Sequence, residues 1–185
     1  MRIIAGAFKG RKLKEFEGDA IRPTGDRTRE SLFNLLMHGA YGGDDIIGCH
    51  VVDLCCGTGA LGLEALSRGA RMATFIDKDK RAIALARDNA THCGTLPLCQ
   101  FLTADATRLP PAHTPAQLVV IDAPYDTPIL ASAYDALERG QWFAPGALLV
   151  AEMRRGTKLP TLIGVTLCDS REYGKAALHL YRRDA

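Results

Sequence analysis

Apolar residues recur in short continuous runs along the chain, and polar stretches with helical spacing separate the runs. The runs lie at 51–54, 72–76, 98–102, 118–121 and 147–153. Between the second and third runs, Ala82, Ile83, Ala86 and Ala90 fall on one face of a helix. Continuous apolar runs are typical of strands buried on both faces of a parallel sheet. The alternation therefore predicts an α/β fold with a doubly wound, mostly parallel sheet.

The two ends of the chain extend this pattern. Residues 165–171 and 177–183 predict a closing pair of strands, which brings the expected sheet to seven strands. Residues 2–6 and 11–16 suit a short N-terminal β-hairpin with a basic tip. A helix is expected to begin at Asp26, with that residue as its cap. We therefore expect a hairpin and linker over 1–24 and the main domain over 25–185.

Charge is unevenly distributed along the chain. The formal net charge of +2 over 185 residues is too small to indicate a partner, and one domain is expected at this length. Residues 1–14, however, contain five basic side chains and no acidic one. These are Arg2, Lys9, Arg11, Lys12 and Lys14. Positive potential is therefore concentrated at the N-terminus, and on this evidence alone an ordinary solvated surface is the simpler interpretation.

The six cysteines lack the spacing of a zinc site or of a redox pair. They suit reduced thiols, and neither a signal-peptide run nor a membrane-spanning run is present in the sequence. We therefore expect a cytoplasmic protein that binds no metal and does not contact membranes.

The first apolar run ends on Asp53 and leads through Gly57 and Gly59 into an Ala/Leu-rich helix. Such a turn exposes backbone N–H groups and a positive helix end to a ligand. With Gly62, the spacing also fits the dinucleotide fingerprint, so the glycines do not distinguish the cofactors. Asp53 favours S-adenosylmethionine, because a carboxylate suits ammonium and sulfonium groups and would repel a pyrophosphate. A plain glycine-rich turn is the alternative.

Acidic residues also follow the next two runs. Asp77 ends the second run, where a carboxylate typically accepts hydrogen bonds from ribose hydroxyls in both cofactor classes. Asp105, with the N–H of Ala106, could bind the amino edge of adenine, or it could be a simple turn aspartate. Because parallel strands end at one sheet edge, we expect Asp53, Asp77, Asp105 and Asp122 to converge there.

The fourth run ends in Asp122-Ala123-Pro124-Tyr125. The exocyclic amine of a purine is a poor nucleophile, so its methylation depends on geometry more than on acid or base strength. The Asp122 carboxylate and the Ala123 carbonyl could each accept one N–H of that amine and direct its lone pair. Tyr125 could stack on the base, which has to be unpaired or flipped to reach the pocket.

These residues and others along the chain resemble one family. The chain is similar to the class I S-adenosylmethionine-dependent methyltransferases, and among them to the bacterial small-subunit rRNA guanine methyltransferases of the RsmD family. The resemblance extends over 2–6, 9–11, 22–24, 26–27, 29–30, 32–34, 57–70 and 180–183. It implies a Rossmann-like methyltransferase sheet and methylation of the 2-amino group of one guanine in 16S rRNA, on the small subunit or its assembly intermediate.

The resemblance also implies a role for each candidate residue. Asp53, Gly57 and Gly59 would hold the methionine end of S-adenosylmethionine, Asp77 the ribose, and Asp105 with Ala106 the adenine. Asp122, Ala123, Pro124 and Tyr125 would form the catalytic amine pocket. Lys9, Arg11, Lys12 and Arg22 would bind rRNA phosphates, and the protein would act as a monomer.

The sequence departs from the family at two places. The family has Asp-Pro-Pro-Tyr where this chain has Ala123, and this departure keeps the carbonyl that would contact the amine. Pro124 still restricts Ala123 to extended geometry, so we expect reduced rigidity and retained activity. Cys55 and Cys56 replace other small or aromatic residues, and we expect them to pack beneath the turn.

Three other functions are compatible with parts of this sequence. Methylation of DNA adenine or of a protein glutamine uses a similar motif, which usually begins with Asn in place of Asp122. A nicotinamide oxidoreductase shares the glycine pattern and leaves residues 122–125 unexplained. An rRNA assembly factor that binds cofactor without turnover is the non-enzymatic alternative.

Overall fold

The structure, a computed structural model, describes residues 1–16, 25–38, 46–123 and 129–184. Its strands form one sheet in the order β3-β2-β1-β4-β5-β7-β6. The strands are β1 (His50–Leu54), β2 (Met72–Asp77), β3 (Cys99–Thr103), β4 (Ala116–Asp122), β5 (Phe143–Arg154), β6 (Val165–Tyr173) and β7 (Ala176–Arg183). The first five are parallel, and β7 is antiparallel to both β5 and β6. The predicted α/β sheet and its closing pair are confirmed.

Helices cover both faces of this sheet. They are α1 (Asp26–His38), α2 (Ala60–Ser67), α3 (Lys80–His92) and α4 (Leu130–Arg139), with a 3₁₀ turn at Leu96–Leu98. On one face Val51 and Val120 pack with residues of α1, α2 and α3, and on the other Val52 and Val119 pack with α4. No helix in the described ranges is long and apolar enough to cross a membrane.

Several element boundaries have local causes. Asp79 caps α3 by accepting a hydrogen bond from Arg81 N at 2.8 Å, which satisfies a free N–H of the first turn. β5 begins at Phe143, four residues before the predicted Ala147, because Phe143 pairs with Ala116 ahead of a register shift. The side chain of Asp26, the predicted cap of α1, lies outside the described residues.

The N-terminal segment, residues 1–16, packs against α2 and α3. Its two arms form one bridge between Arg2 and Lys12, so the predicted hairpin is present in a short form. Ile3 and Leu13 are buried in the core. Ala7 N donates to Ser67 O at 2.7 Å, and Phe8 N donates to Ser67 Oγ at 3.0 Å. The segment is therefore held by backbone and side-chain contacts to the last turn of α2.

Glu64 is the main polar anchor of this segment. Its side chain is fully buried, and it accepts hydrogen bonds from Ile4 N at 2.8 Å and Ala5 N at 3.0 Å. Arg68 Nε donates to the same carboxylate at 2.8 Å, and Arg29 Nε lies 4.0 Å away. A buried carboxylate is tolerated when its oxygens are hydrogen-bonded and its charge is paired. Glu64 thus joins the N-terminal segment to α1 and α2.

The Gly6→Ala substitution tests this docking. Gly6 has φ of +83°, and a Cβ there would lie 1.8 Å from Ser67 O. We expect a loss of about 1 to 3 kcal/mol in the free energy of unfolding, measured with urea, and faster tryptic cleavage near Lys9. Gly10→Ala is the matched control, since Gly10 has φ of +84° with nothing within 4 Å. Equal effects of the two substitutions would contradict tight docking.

Candidate active site at the carboxyl edge of the sheet

Strand register brings the predicted acids to one edge, with Asp53, Asp77 and Asp122 in their strands and Asp105 two residues beyond Thr103, the β3 partner of Asp77. Asp77 ends β2 and Asp122 ends β4, on either side of β1. Leu54 pairs with Ile76 and with Ile121, so both acids lie one residue beyond it and level with position 55. Asp53 pairs with Val120, two residues before Asp122, and residues two apart share a face of the sheet. The predicted convergence of Asp53, Asp77 and Asp122 is present in the fold.

Asp53 is buried at the end of β1, with 1% of its surface exposed. Its Oδ2 accepts a hydrogen bond from Gly62 N at 2.8 Å, which ties the strand to the first turn of α2. Burial raises the pKa of Asp53 to about 8, and the charges of Asp122 and Asp77 act in the same direction, against the Gly62 hydrogen bond. A cationic ligand group beside Asp53 would favour its ionised form.

The glycine loop after β1 has a backbone conformation that residues with a Cβ adopt only with strain. Gly57 and Gly59 have φ of +52° and +78°, in the left-handed region. Asp77 holds the loop, because its Oδ2 accepts from Gly57 N at 3.0 Å and its Oδ1 from Asp79 N at 2.9 Å. At Gly62 a Cβ would lie 2.4 Å from the Phe75 ring, so glycine permits the close packing of α2 on β2.

The two cysteines of this loop differ in burial, because Cys56 is buried and Cys55 is half-buried. Cys56 is buried, and its N–H donates to Ile76 O at 3.0 Å. Cys55 has φ of +64° and lies level with Asp77 and Asp122. Burial and then the neighbouring carboxylates raise the pKa of the Cys55 thiol to about 12, so it is protonated at neutral pH and is a poor nucleophile. All six cysteines of the chain are free thiols.

Asp105 forms a turn just beyond β3. Its Oδ1 accepts from both Thr107 N and Thr107 Oγ1 at 2.8 Å, and these hydrogen bonds lower the pKa of this exposed carboxyl. Ala106 beside it is buried. These contacts support the interpretation of Asp105 as a turn residue. Its other carboxylate oxygen, Oδ2, makes no hydrogen bond with a described residue.

The predicted amine pocket is described in part. Asp122 and Ala123 are half-buried at the end of β4, while Pro124 and Tyr125 lie outside the described residues. Glu152 of β5 pairs in register with Asp122 and is 8% exposed, so a further carboxylate lies next to the pocket. No described group of three or more His, Cys, Asp or Glu side chains could hold a metal ion.

The predicted phosphate-binding side chains are not equivalent. The side chains of Lys9 and Lys12 are exposed and make no hydrogen bond or ion pair with any described residue. Arg11 instead stacks over Phe8, 5.2 Å from the ring centroid, and its Nη1 donates to His92 O at the end of α3 at 3.2 Å. Arg22 lies outside the described residues.

Known proteins resemble this chain over nearly its whole length. A family model described as conserved hypothetical protein 95 matches residues 1–182. Ribosomal RNA small subunit methyltransferase D of Escherichia coli K12 is 34% identical, over 100% of this chain and 91% of the relative. The Haemophilus influenzae protein of the same name is 31% identical, over 98% and 93%. The chain belongs to the family of ribosomal RNA small subunit methyltransferase D, the RsmD family.

Membership confirms the RsmD resemblance inferred from the sequence, and solved structures agree with it. The Escherichia coli protein yhhF superposes with a TM-score of 0.84 at 33% identity, covering 100% of this chain and 98% of the other. An RNA methyltransferase from Salinibacter ruber, solved with S-adenosyl-L-homocysteine, shares the fold at 17% identity and a TM-score of 0.63, covering 88% and 94%.

Among the described residues of this RsmD-family chain, sequence patterns missed three buried side chains that carry a carboxylate or a carboxamide. They are Glu64, Asn89 and Glu152, which are 0%, 0% and 8% exposed. Glu64 and Asn89 contact backbone groups about 60 and 75 positions away, so no local motif marks them. Glu152 lies next to the end of the fifth apolar run, as Asp53 does in the first, and that position was the available signal.

Asp53→Asn tests the burial of the Asp53 carboxyl. In the unfolded chain an aspartate has a pKa of about 3.9. Between that pH and about 8, the folded protein therefore binds one more proton at Asp53 than the unfolded chain does. The contribution of Asp53 to stability therefore falls as pH rises through this window. We expect the stability of the variant relative to wild type, measured by urea unfolding, to rise by up to about 1.4 kcal/mol per pH unit there.

The matched control is Asp135→Asn, the same change on the exposed side of α4. An Asp53→Asn stability difference that stays flat between pH 5 and pH 8 would contradict the raised pKa of Asp53.

Proposed function

We propose that this chain transfers a methyl group from S-adenosylmethionine to the exocyclic 2-amino group of one guanine in 16S rRNA. The main observation in support of this reaction is that Asp53, Asp77 and Asp122 lie together at the carboxyl edge of the sheet, next to the Ala123 backbone. Three carboxylates around a glycine loop suit a cationic ligand that carries a ribose. Family membership and the names of the relatives support the same reaction.

Residues of the glycine loop fit the cofactor by charge and shape. Asp53 would face the ammonium and sulfonium end, with Gly57 and Gly59 letting the backbone approach closely. Asp77 would accept from the ribose hydroxyls through lone pairs left beside its two backbone hydrogen bonds. Asp105 and Ala106 would bind the adenine edge. When bound, the cofactor supplies an activated methyl group on its sulfonium.

The amine pocket would act by positioning. Asp122 would accept one N–H of the guanine amine and the Ala123 carbonyl the other, which aims the nitrogen lone pair at the methyl group. Pro124 and Tyr125 complete the proposed pocket, with the tyrosine ring stacked on the base. Because a paired base is inaccessible to such a pocket, the target guanine is unpaired or flipped out.

The proposed substrate is 16S rRNA in the small ribosomal subunit or its assembly intermediate. Lys9, Arg11, Lys12 and Arg22 would contact phosphates, so residues 1–24 would serve as the RNA-binding part and 25–185 as the methyltransferase domain. The protein is proposed to act as a monomer in the cytoplasm.

The reaction is tested by labelled methyl transfer from S-adenosylmethionine to small subunits that lack the modification, followed by nuclease mapping. Label on the 2-amino group of a single guanine is the expected product. Label on DNA or protein in parallel assays would assign a different amine substrate. Cofactor binding without label on any of them would favour an assembly factor.

Ala123→Pro restores the family motif and tests the role of the Ala123 carbonyl. We expect kcat to change by less than about threefold, because the carbonyl is present in both proteins and Pro124 already restricts residue 123. Asp122→Ala, which removes an acceptor of the amine, should lower kcat by about 100-fold or more. A large rise in kcat for Ala123→Pro would show that the natural pocket is impaired.

Lys9→Gln combined with Lys12→Gln tests the RNA-binding segment. Both lysines are exposed, and Arg11 is left intact because it caps α3. The slope of log affinity against log salt for subunit binding should decrease by about 1 to 2, since two phosphate contacts are lost. Arg71→Gln with Arg139→Gln removes the same charge at exposed positions before β2 and at the end of α4. Equal slopes for the two double variants would show that Lys9 and Lys12 do not contact RNA phosphates.

A further inference from the structure

Asn89 of α3 contacts both the glycine loop, the proposed cofactor site, and the N-terminal segment, the proposed RNA-binding part. Its side chain is fully buried. Its Nδ2 donates to Thr58 O in the glycine loop at 2.9 Å and to Lys14 O in the N-terminal segment at 3.1 Å. Its Oδ1 accepts from Lys14 N at 2.8 Å. One carboxamide therefore binds the backbone of both segments at once.

The amide group suits this task because it carries two donors and an acceptor. Both amide protons and one oxygen lone pair are used, and each partner is a backbone group outside the named helices and strands. Loss of this side chain would remove the hydrogen-bond partner of the buried Thr58 carbonyl and of the partly buried backbone groups of Lys14, which is costly.

Other contacts bring the same two segments together. Thr58 Oγ1 lies 3.7 Å from Met1 Sδ, and Thr58 itself is 8% exposed. Leu13, next to Lys14, is buried in the cluster that contains Ala60 and Ala86. A Cβ at Gly59 would lie 3.0 Å from the Cβ of Ala86, so α3 packs closely on the loop. The glycine loop, α3 and the N-terminal segment thus pack as one unit around Asn89.

We propose that Asn89 is a positioning residue that couples the cofactor loop to the RNA-binding segment, so that S-adenosylmethionine and RNA each strengthen the binding of the other. The inference rests on the proposed function, since it takes the two segments as the sites of those ligands. A ligand that orders the loop reduces the ordering cost of the segment tied to it, and linkage makes the effect reciprocal.

The test measures coupling directly, without turnover. Affinity for small subunits lacking the modification is measured with and without saturating S-adenosyl-L-homocysteine at pH 8, and the ratio of the two affinities is the coupling factor. We expect about fivefold or more for wild type. Asn89→Asp keeps an acceptor for Lys14 N and loses the N–H donors to Thr58 O and Lys14 O. Its ratio should fall to within about twofold of one.

Asn34→Asp is the matched control, because it makes the same change on the exposed side of α1 and should keep the wild-type ratio. A merely structural role of Asn89 would weaken both affinities and leave their ratio unchanged, which would overturn the proposal. A ratio of one for wild type would also overturn it. Absence of any binding to subunits would instead contradict the proposed function.

A second pair of variants covers the case in which Asn89→Asp fails to fold. Lys14→Pro removes the N–H that donates to Asn89 Oδ1, at an exposed position. Lys14→Ala removes the same charge, including the ion pair with Asp88, and keeps that N–H. The proposal requires a lower coupling factor for the proline variant than for the alanine variant, and equal factors would contradict it.

Discussion

Side chains that bind backbone groups hold the glycine loop and the N-terminal segment in place. The glycine loop and the N-terminal segment lie outside the main ladders of the sheet, so their N–H and C=O groups need other partners. Asp53, Asp77, Glu64 and Asn89 supply those partners from strand ends and helix faces. Because unpaired buried polar groups are costly, these four residues determine where the loop and the segment lie.

This arrangement gives the site its electrostatic character. Asp53 and Asp77 accept hydrogen bonds from the loop, and Asp77 also places negative charge at the carboxyl edge. Burial, and then the charges of Asp122 and Asp77, make Asp53 costly to ionise and raise its pKa. A cationic ligand would offset that cost, so the residues that shape the ligand-free loop also favour the ligand's charge. Stability and affinity are thereby linked through one carboxyl group.

The sequence predicted the regular part of this structure well for a physical reason. Strands buried on both faces need continuous apolar runs, and β1, β2 and β4 have them, with an acid as the last residue of β2 and β4 and the next-to-last of β1. The acids at the ends of β1, β2 and β4 could be predicted because parallel topology alone brings those ends together. The contacts of Glu64 and Asn89 could not, since they depend on how a distant segment with little periodicity packs. The capping role of Arg11 is of the same kind, because its acceptor is a carbonyl of α3.

The packing of the N-terminal segment also sets the distance that an RNA substrate spans between the amine pocket and the basic tip. In parallel α/β units the helices run back from the carboxyl edge, and Phe8 contacts Ser67 at the far end of α2. Eight residues of helix at 1.5 Å each place the basic tip about 12 Å from the edge that carries Asp122. A single nucleotide in the pocket would not reach Lys9. Under the proposed function, RNA contacts at the tip therefore come from nucleotides other than the target guanine.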